Sequence, residues 1–144
     1  MSWWIERLDA LKAGTADVPL VTETLRMGLL DDWGEGWSRK VWSPDPAVIS
    51  PDGSLFGGHL AALADQSAAF ATMTVMGEHE TFRTTNLSVQ FFRVGRAYPL
   101  EVTGRVVART THMVSLEVDF RRPDGELIAR ASAQQIIQRA EARP

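Results

Sequence analysis

The stretch from Ser54 to Met76, SLFGGHLAALADQSAAFATMTVM, most constrains the fold, because it is almost free of charge and carries one carboxylate, Asp65. A helix that is apolar on all sides must be covered on most of them. Its slim profile, which a strongly curved sheet could wrap closely, comes from six alanines: Ala61, Ala62, Ala64, Ala68, Ala69 and Ala71. The stretch therefore predicts one long central helix, at about 57–76.

Four runs after this helix alternate apolar and polar residues, as half-buried strands do. They are TTNLSVQFF, LEVTGRVVAR, VSLEVDF and LIARASAQQII. No second long helix separates them, which favours an antiparallel four-strand meander over parallel winding. Residues 35–43 predict one further strand before the helix, and residues 44–53, with three prolines, predict a loop. The expected fold class is α+β.

The chain of 144 residues fits one domain, 1–144, in which residues 1–30 form an N-terminal helical extension. Helical spacing predicts one helix at residues 3–12 and a shorter helical piece around residues 21–29. All five tryptophans lie in the first 42 residues. They either close the core or line a ligand pocket.

Composition excludes several classes of function. The net charge is −3 with no block of Lys or Arg, so nucleic acid is not an expected partner. The absence of cysteine excludes disulfides, a thiol nucleophile and Cys-based zinc sites, and it suits a cytosolic protein. Charged residues interrupt the N-terminal run that a secretory signal would need, and His59, Asp65 and Gln66 make the central stretch a core helix and not a membrane span. We expect a cytoplasmic protein with no membrane partner.

The run SPDGSLFGGHLAALAD resembles the hot-dog fold thioesterases of the 4-hydroxybenzoyl-CoA and phenylacetate-degradation type. Their pattern is approximately Asn-x-x-Gly-x-x-His-Gly-Gly, followed by a helix with an acid eight residues after the first Gly of the pair. Gly53, Gly57, Gly58 and Asp65 stand at the matching positions. The resemblance continues through TTNLSVQFFRVGR and RRPDGELIARA and covers most of residues 21–138. It implies a hot-dog fold, in which a curved antiparallel sheet wraps around the central helix.

The glycine pair and the acid have chemical roles that suit thioester hydrolysis. Gly57 and Gly58 open the helix, where free N–H groups and the helix dipole would stabilise a carbonyl oxygen that becomes negative. Asp65 would act as a nucleophile or as a general base on water, and the sequence leaves both roles open. The two features lie about 12 Å apart along one helix, too far to hold one carbonyl. The resemblance implies an obligate homodimer with sites at the interface, and pairing into a tetramer stays open.

Two positions depart from the family pattern. Phe56 replaces the usual His and cannot donate a hydrogen bond, and Ser50 replaces the usual Asn. Ser50 could orient a water or simply form a turn beside Pro51. His59 could substitute for the missing imidazole or make an ordinary contact at the helix start.

Three further residues are candidates by family position. Thr84 would position water or the carboxylate, with packing at the strand edge as the equal alternative. Arg93 and Arg96 would bind the phosphates of coenzyme A. Apolar residues near the helix end either line an acyl pocket or pack in the core: Met73, Met76 and Phe82.

The sequence is therefore interpreted as an acyl-CoA thioesterase, with Asp65, Gly57, Gly58 and Thr84 as its catalytic groups. No metal or organic cofactor is expected, because coenzyme A is part of the substrate. A hydratase or dehydratase would need a paired His and acid, which we do not find convincingly placed. The alternative from another class is a non-catalytic binder of acyl-CoA or of an aromatic ligand, which the replacements at Phe56 and Ser50 favour.

Overall fold

The computed structural model describes residues 2–139, so the two ends of the predicted domain, residue 1 and residues 140–144, lie outside the described part. Its helices are α1 (Trp3–Ala13), α2 (Leu20–Thr24) and α3 (Gly57–Met73), with a 3-10 turn at Pro46–Val48. Its strands are β1 (Asp32–Gly34), β2 (Trp37–Trp42), β3 (Glu80–Phe91), β4 (Leu100–Arg109), β5 (Met113–Arg121) and β6 (Leu127–Arg139).

The six strands form one antiparallel sheet in the order β1-β2-β4-β5-β6-β3, which curves around α3. The predicted α+β fold, a curved antiparallel sheet around one long helix, is confirmed. Small residues let the helix and the sheet approach closely. A Cβ on Gly104 of β4 would stand 2.5 Å from the carbonyl oxygen of Ser67, so this contact requires glycine. Apolar residues between the two layers form the core.

The predicted four-strand meander was wrong in one respect, because β3 pairs with β6 and not with β4. Tight turns join β4 to β5 and β5 to β6, closed by Thr110 N–H to the Met113 carbonyl (2.8 Å) and by Arg122 N–H to the Glu126 carbonyl (3.0 Å). Residues 92–99, between β3 and β4, are longer than a hairpin loop. This segment carries the chain to the other side of β5 and β6, and β3 becomes an edge strand.

Other element boundaries also differ from the predictions. Helix α3 ends at Met73, three residues early, because the Thr74 hydroxyl caps the Ala71 carbonyl at 2.7 Å. The piece predicted around residues 21–29 is helical only to Thr24. Beyond it, Arg26 (φ 50°) and Gly28 (φ 68°) adopt left-handed conformations that end a helix. Strand β3 starts at residue 80, four residues early, and the short β1 was not predicted.

The N-terminal helix was predicted correctly: the Ser2 side chain caps α1, and Gly14, at φ 74°, ends it. Tryptophans fasten this region to the sheet. The indole of Trp4 donates to the Glu80 carbonyl at 2.9 Å, and that of Trp33 donates to Asp9 at 3.1 Å. Between residues 2 and 139, no helix combines the length and apolar character that crossing a bilayer requires.

Candidate functional site

Asp65 lies on the exposed side of α3 and is held by a side chain from β3. The Thr84 hydroxyl donates to Asp65 Oδ1 at 2.8 Å. The Gln135 amide donates to the same hydroxyl at 3.3 Å, and Gln135 Oε1 accepts a hydrogen bond from Thr72. A hydroxyl has one hydrogen, so the bond from Gln135 leaves the Thr84 hydrogen for Asp65. Within residues 2–139, Asp65 Oδ2 has no hydrogen-bond partner, so this oxygen is available for chemistry.

Gln135 is the site residue that the sequence analysis missed. It is fully buried, as is Thr72, and it lies on the inward side of β6 in line with Ala133 and Ile137. A buried amide is costly unless it is hydrogen-bonded, and here both of its ends are. The one feature of the sequence that could have indicated Gln135 is that a polar residue stands at an inward position of an alternating strand.

The start of α3 presents two backbone N–H groups beneath aromatic rings. Neither Gly57 nor Gly58 donates a backbone hydrogen bond to another described residue, and no side chain caps this helix end. A Cβ on Gly57 would lie 3.1 Å from the ring of Phe91, and one on Gly58 would lie 3.1 Å from the ring of Phe56. The glycines thus allow the rings to approach the backbone, and Phe56 itself is 61% exposed.

The structure does not bring the glycine pair and Asp65 together within one chain. They are two turns apart on α3, about 12 Å by helical rise. A single carbonyl group cannot contact both. A complete site would need these two features from different copies of the chain.

His59 is directed away from Asp65. Its ring packs on Trp42 of β2, with ring centroids 5.2 Å apart, whereas Asp65 faces β3 at the other end of the sheet. Burial and the nearby charge of Lys40 lower the pKa of His59, so it is neutral at pH 7. Its buried Nε2 has no hydrogen-bond partner among the described residues.

The remaining predicted residues lie at the end of the sheet where α3 begins. Ser50 takes part in a turn through its backbone: its N–H donates to the Ser54 carbonyl at 2.7 Å, and its carbonyl accepts from Gly53 at 2.9 Å. Arg93 is ion-paired with Glu126. Arg96 donates to the Asp52 carbonyl at 2.9 Å and has no ion pair within 4 Å among residues 2–139. The guanidinium of Arg96 is therefore more available to bind an anion than that of Arg93.

Asp65 and Thr84 line a cavity of about 670 Å³ between α3, β3 and the N-terminal region. Met73, Phe82 and Trp4 also line it, whereas Met76 is buried in the core. Pockets of this volume hold small organic ligands. Across residues 2–139, no three His, Asp or Glu side chains are grouped so that they could hold a metal ion.

The curved sheet around a single helix, with a carboxylate on that helix and a glycine pair at its start, defines the hot-dog class of thioesterase folds. The model of the thioesterase superfamily matches residues 52–129, which is more than half of the chain. The protein belongs to this superfamily, as the sequence motifs predicted. Membership supports thioester hydrolysis as the general reaction.

Solved structures give the same result for the fold. A phenylacetic acid degradation-related protein from Ralstonia eutropha JMP134 has 25% identity and a TM-score of 0.80, over 90% of this chain and 98% of its own. A thioesterase from Haemophilus influenzae has 17% identity and a TM-score of 0.81, with 94% and 93% covered. A thioesterase family protein from Silicibacter pomeroyi has 19% identity and a TM-score of 0.80, with 95% and 99% covered. No curated protein sequence matches the chain.

Proposed function

We propose that the protein is an acyl-CoA thioesterase, which hydrolyses a thioester to a free acid and coenzyme A. The observation that carries this proposal is the carboxylate of Asp65, held through Oδ1 by Thr84 while Oδ2 is left free beside an apolar cavity. A cavity of this kind would take the acyl group, and its carboxylate would lie next to the thioester carbonyl. Membership in the thioesterase superfamily supports the reaction class.

Two mechanisms use this arrangement. Asp65 Oδ2 attacks the carbonyl carbon, the C–S bond breaks, the thiolate leaves, and water then hydrolyses the resulting anhydride. Alternatively, Oδ2 takes a proton from a water that attacks the same carbon, and that proton passes to the leaving thiolate. In both, the carbonyl oxygen becomes negative. The N–H groups of Gly57 and Gly58 would stabilise it, and losing one such donor typically costs about 10²–10³ in rate.

These amides would come from a second copy of the chain, so we propose a homodimer with its sites at the interface. Edge strand β3 supports this assembly, because it has 12 residues and most of them are exposed. A long exposed edge is normally covered. Apolar side chains continue along it, with Leu87, Phe91 and Phe92 all more than a third exposed. A two-fold axis would place each α3 start near the partner's acid. Two such dimers could pair further into a tetramer.

The phosphates of coenzyme A would bind at the end of the sheet where α3 begins. Arg96 is the better candidate because its guanidinium contacts a backbone carbonyl and has no acidic partner within 4 Å among residues 2–139. Arg93 would have to exchange Glu126 for a phosphate. We expect Arg96→Ala to raise KM for acyl-CoA more than it lowers kcat, because a phosphate contact far from the reacting carbon is made equally in ground and transition states.

A non-catalytic acyl-CoA binder is the second candidate. It is favoured by the ring of Phe56, which lies against Gly58 where the family pattern has a histidine. Such a protein would bind the thioester and leave it intact. Turnover separates the two functions directly.

The test measures thiol release from acetyl, medium-chain, long-chain and aromatic acyl-CoAs. We expect turnover in the wild type and a loss of at least about 100-fold in Asp65→Asn, which removes the charge and keeps the shape. Asp124→Asn, the same change at an exposed carboxylate in the β5–β6 turn, is the matched control and should keep full activity. No turnover of any thioester would refute the proposed enzymatic function. Full turnover in Asp65→Asn would refute the catalytic role of Asp65. Sedimentation of the same samples tests the dimer.

A further inference from the structure

The N-terminal region supplies half of the lining of the cavity beside Asp65. Nine of the eighteen lining residues lie between Trp4 and Leu29, in α1, α2 and the segments that adjoin α2, and the rest come from α3 and β3. The apolar members of the N-terminal set, called here the N-terminal wall, are Trp4, Leu11, Pro19, Val21, Leu25, Met27 and Leu29. The chemistry of this wall therefore decides what the cavity accepts.

Twelve of the eighteen lining residues are apolar, and three of the polar ones lie together. Asp65, Gln66 and Thr84 form the polar end at the middle of α3. Arg7 also lines the cavity, and its guanidinium donates to the Asp17 carbonyl at 2.9 Å. Arg83 alternates with inward-facing Thr84 along β3, so its side chain is directed to the other face of the sheet. Among the described residues of the N-terminal region that line the cavity, only Arg7 and Thr22 are polar.

Apolar side chains of the wall are left uncovered where they face the cavity. Val21 and Leu25 lie one turn apart on and just after α2, both line the cavity, and they are 53% and 38% exposed. Apolar surface of this kind gains free energy when a ligand covers it. The ligand that fits is itself apolar.

The depth of the cavity follows from the stripe of α3 that lines it. From Asp65 to Met73 the helix rises about 12 Å. Met73, Phe82 and Trp4 line the far end, and the indole of Trp4 lies 5.5 Å from the ring of Phe82. An extended hydrocarbon chain advances about 1.25 Å per carbon, from C–C bonds of about 1.5 Å and near-tetrahedral angles. The depth therefore matches roughly eight to ten carbons.

The part of the wall that follows α2 is held in place by side-chain hydrogen bonds. Three consecutive carbonyls, those of residues 26, 27 and 28, each accept one side-chain hydrogen bond. The donors are the Trp42 indole (2.8 Å), the Lys40 ammonium (2.7 Å) and the Gln66 amide (2.8 Å). Lys40 also donates to Gln66. These bonds limit how far this part of the wall can move to admit a longer chain.

We infer that the acyl group of the substrate is an unbranched, medium-length hydrocarbon chain of about eight to ten carbons, held between α3 and the N-terminal wall. This inference rests on the proposed function for its reaction but not for its binding site. Affinity should rise about fourfold for each added methylene until the cavity is filled. Beyond about ten carbons it should stop rising.

Binding to the Asp65→Asn protein tests the inference without any turnover. Titration calorimetry with acyl-CoAs of two to sixteen carbons should show a rise and a break at about eight to ten carbons. Val21→Trp places an indole on the exposed wall in place of a small aliphatic side chain. It should move the break to shorter chains, with decanoyl-CoA binding weakened at least about tenfold and acetyl-CoA binding changed less than about twofold. Val107→Trp, the same change at another exposed valine outside the cavity, should leave the profile unchanged.

A flat profile from two to sixteen carbons, tighter binding of aromatic than of medium-chain acyl-CoA, or no effect of Val21→Trp would each overturn the inference. Hydrolysis by the wild type with a flat profile refutes the inference and leaves the proposed function standing. A chain-length break in Asp65→Asn with no hydrolysis by the wild type refutes the proposed function and leaves the inference standing. The two failures are therefore distinct.

Discussion

Replacing Lys40 with methionine should change how the stability of the protein depends on pH. Lys40 is 3% exposed, beneath the N-terminal wall, and burial lowers its pKa from 10.5 to about 7, although Asp31 acts in the opposite direction. In the unfolded chain the same side chain titrates near 10.5. Between these two values the unfolded state binds more protons than the folded state, so stability rises with pH.

The size of the effect follows from the two pKa values. Each pKa unit corresponds to about 1.4 kcal/mol. From about pH 7.5 to 9.5, the titration of Lys40 should raise the free energy of unfolding of the wild type by about 2–3 kcal/mol. Lys40→Met keeps a straight side chain but leaves the Met27 carbonyl and Gln66 without their donor, at a cost of about 1–3 kcal/mol. That cost does not depend on pH, so it lowers the free energy of unfolding by the same amount at every pH and leaves the slope against pH unchanged.

Urea unfolding at several pH values measures both terms. The difference in stability between wild type and Lys40→Met should grow by about 2 kcal/mol or more from pH 7.5 to 9.5. Lys12→Met is the control, because Lys12 is an exposed residue paired with Asp32 at 2.8 Å and its loss removes the same charge from the surface. Its curve should run parallel to that of the wild type. A parallel curve for Lys40→Met would refute the reasoning, since it would mean that Lys40 is charged to the same extent in both states.

Three further substitutions test the candidate site. Thr84→Val should lower kcat about 10- to 100-fold with little change in KM, because the carboxylate loses the hydroxyl that orients it; an unchanged kcat would show that Thr84 only packs at the strand. Gln135→Met removes the hydrogen-bond partner of Thr84 and of buried Thr72, so it should lower the free energy of unfolding by about 1–3 kcal/mol in thermal or urea unfolding. It should lower kcat less than Thr84→Val does. Stability equal to the wild type would contradict the buried network. Gly58→Ala should fold normally, since Phe56 is exposed and can shift by a few tenths of an ångström. It keeps the backbone N–H but adds a methyl group that would hinder the close approach of the thioester, so kcat should fall at least about tenfold. Full activity would show that the thioester does not approach the backbone at this residue.

Local patterns predicted most of the elements, whereas long-range pairing decided what they missed. The apolar run and its glycines placed α3, and alternation placed β4, β5 and β6. Strand order depends on which edges meet, and only the length of residues 92–99 hinted that β3 does not pair with β4. A three-residue strand such as β1 is too short to show a period.

The site shows the same division. Asp65, Gly57 and Gly58 could be found because the motif places them at fixed spacing along one helix. Gln135 and Lys40 are ordinary polar residues in the sequence, and their burial can be recognised only when the inward face of each strand is known. Arg26 was predicted to be helical, and its left-handed conformation follows from contacts with distant side chains.

One property of α3, its small side chains, serves both of its faces and links the fold to the proposed chemistry. Toward the sheet, Ala64 and Ala68 are fully buried and let the helix approach as closely as the contact of Ser67 with Gly104 requires. Toward the N-terminal wall, Ala62 and Ala69 leave the space that the cavity occupies. Larger residues on the first face would push the sheet away, and larger residues on the second would fill the cavity at normal packing density. The alanines that make the helix slim enough to be wrapped therefore also leave space for an acyl chain beside its single carboxylate.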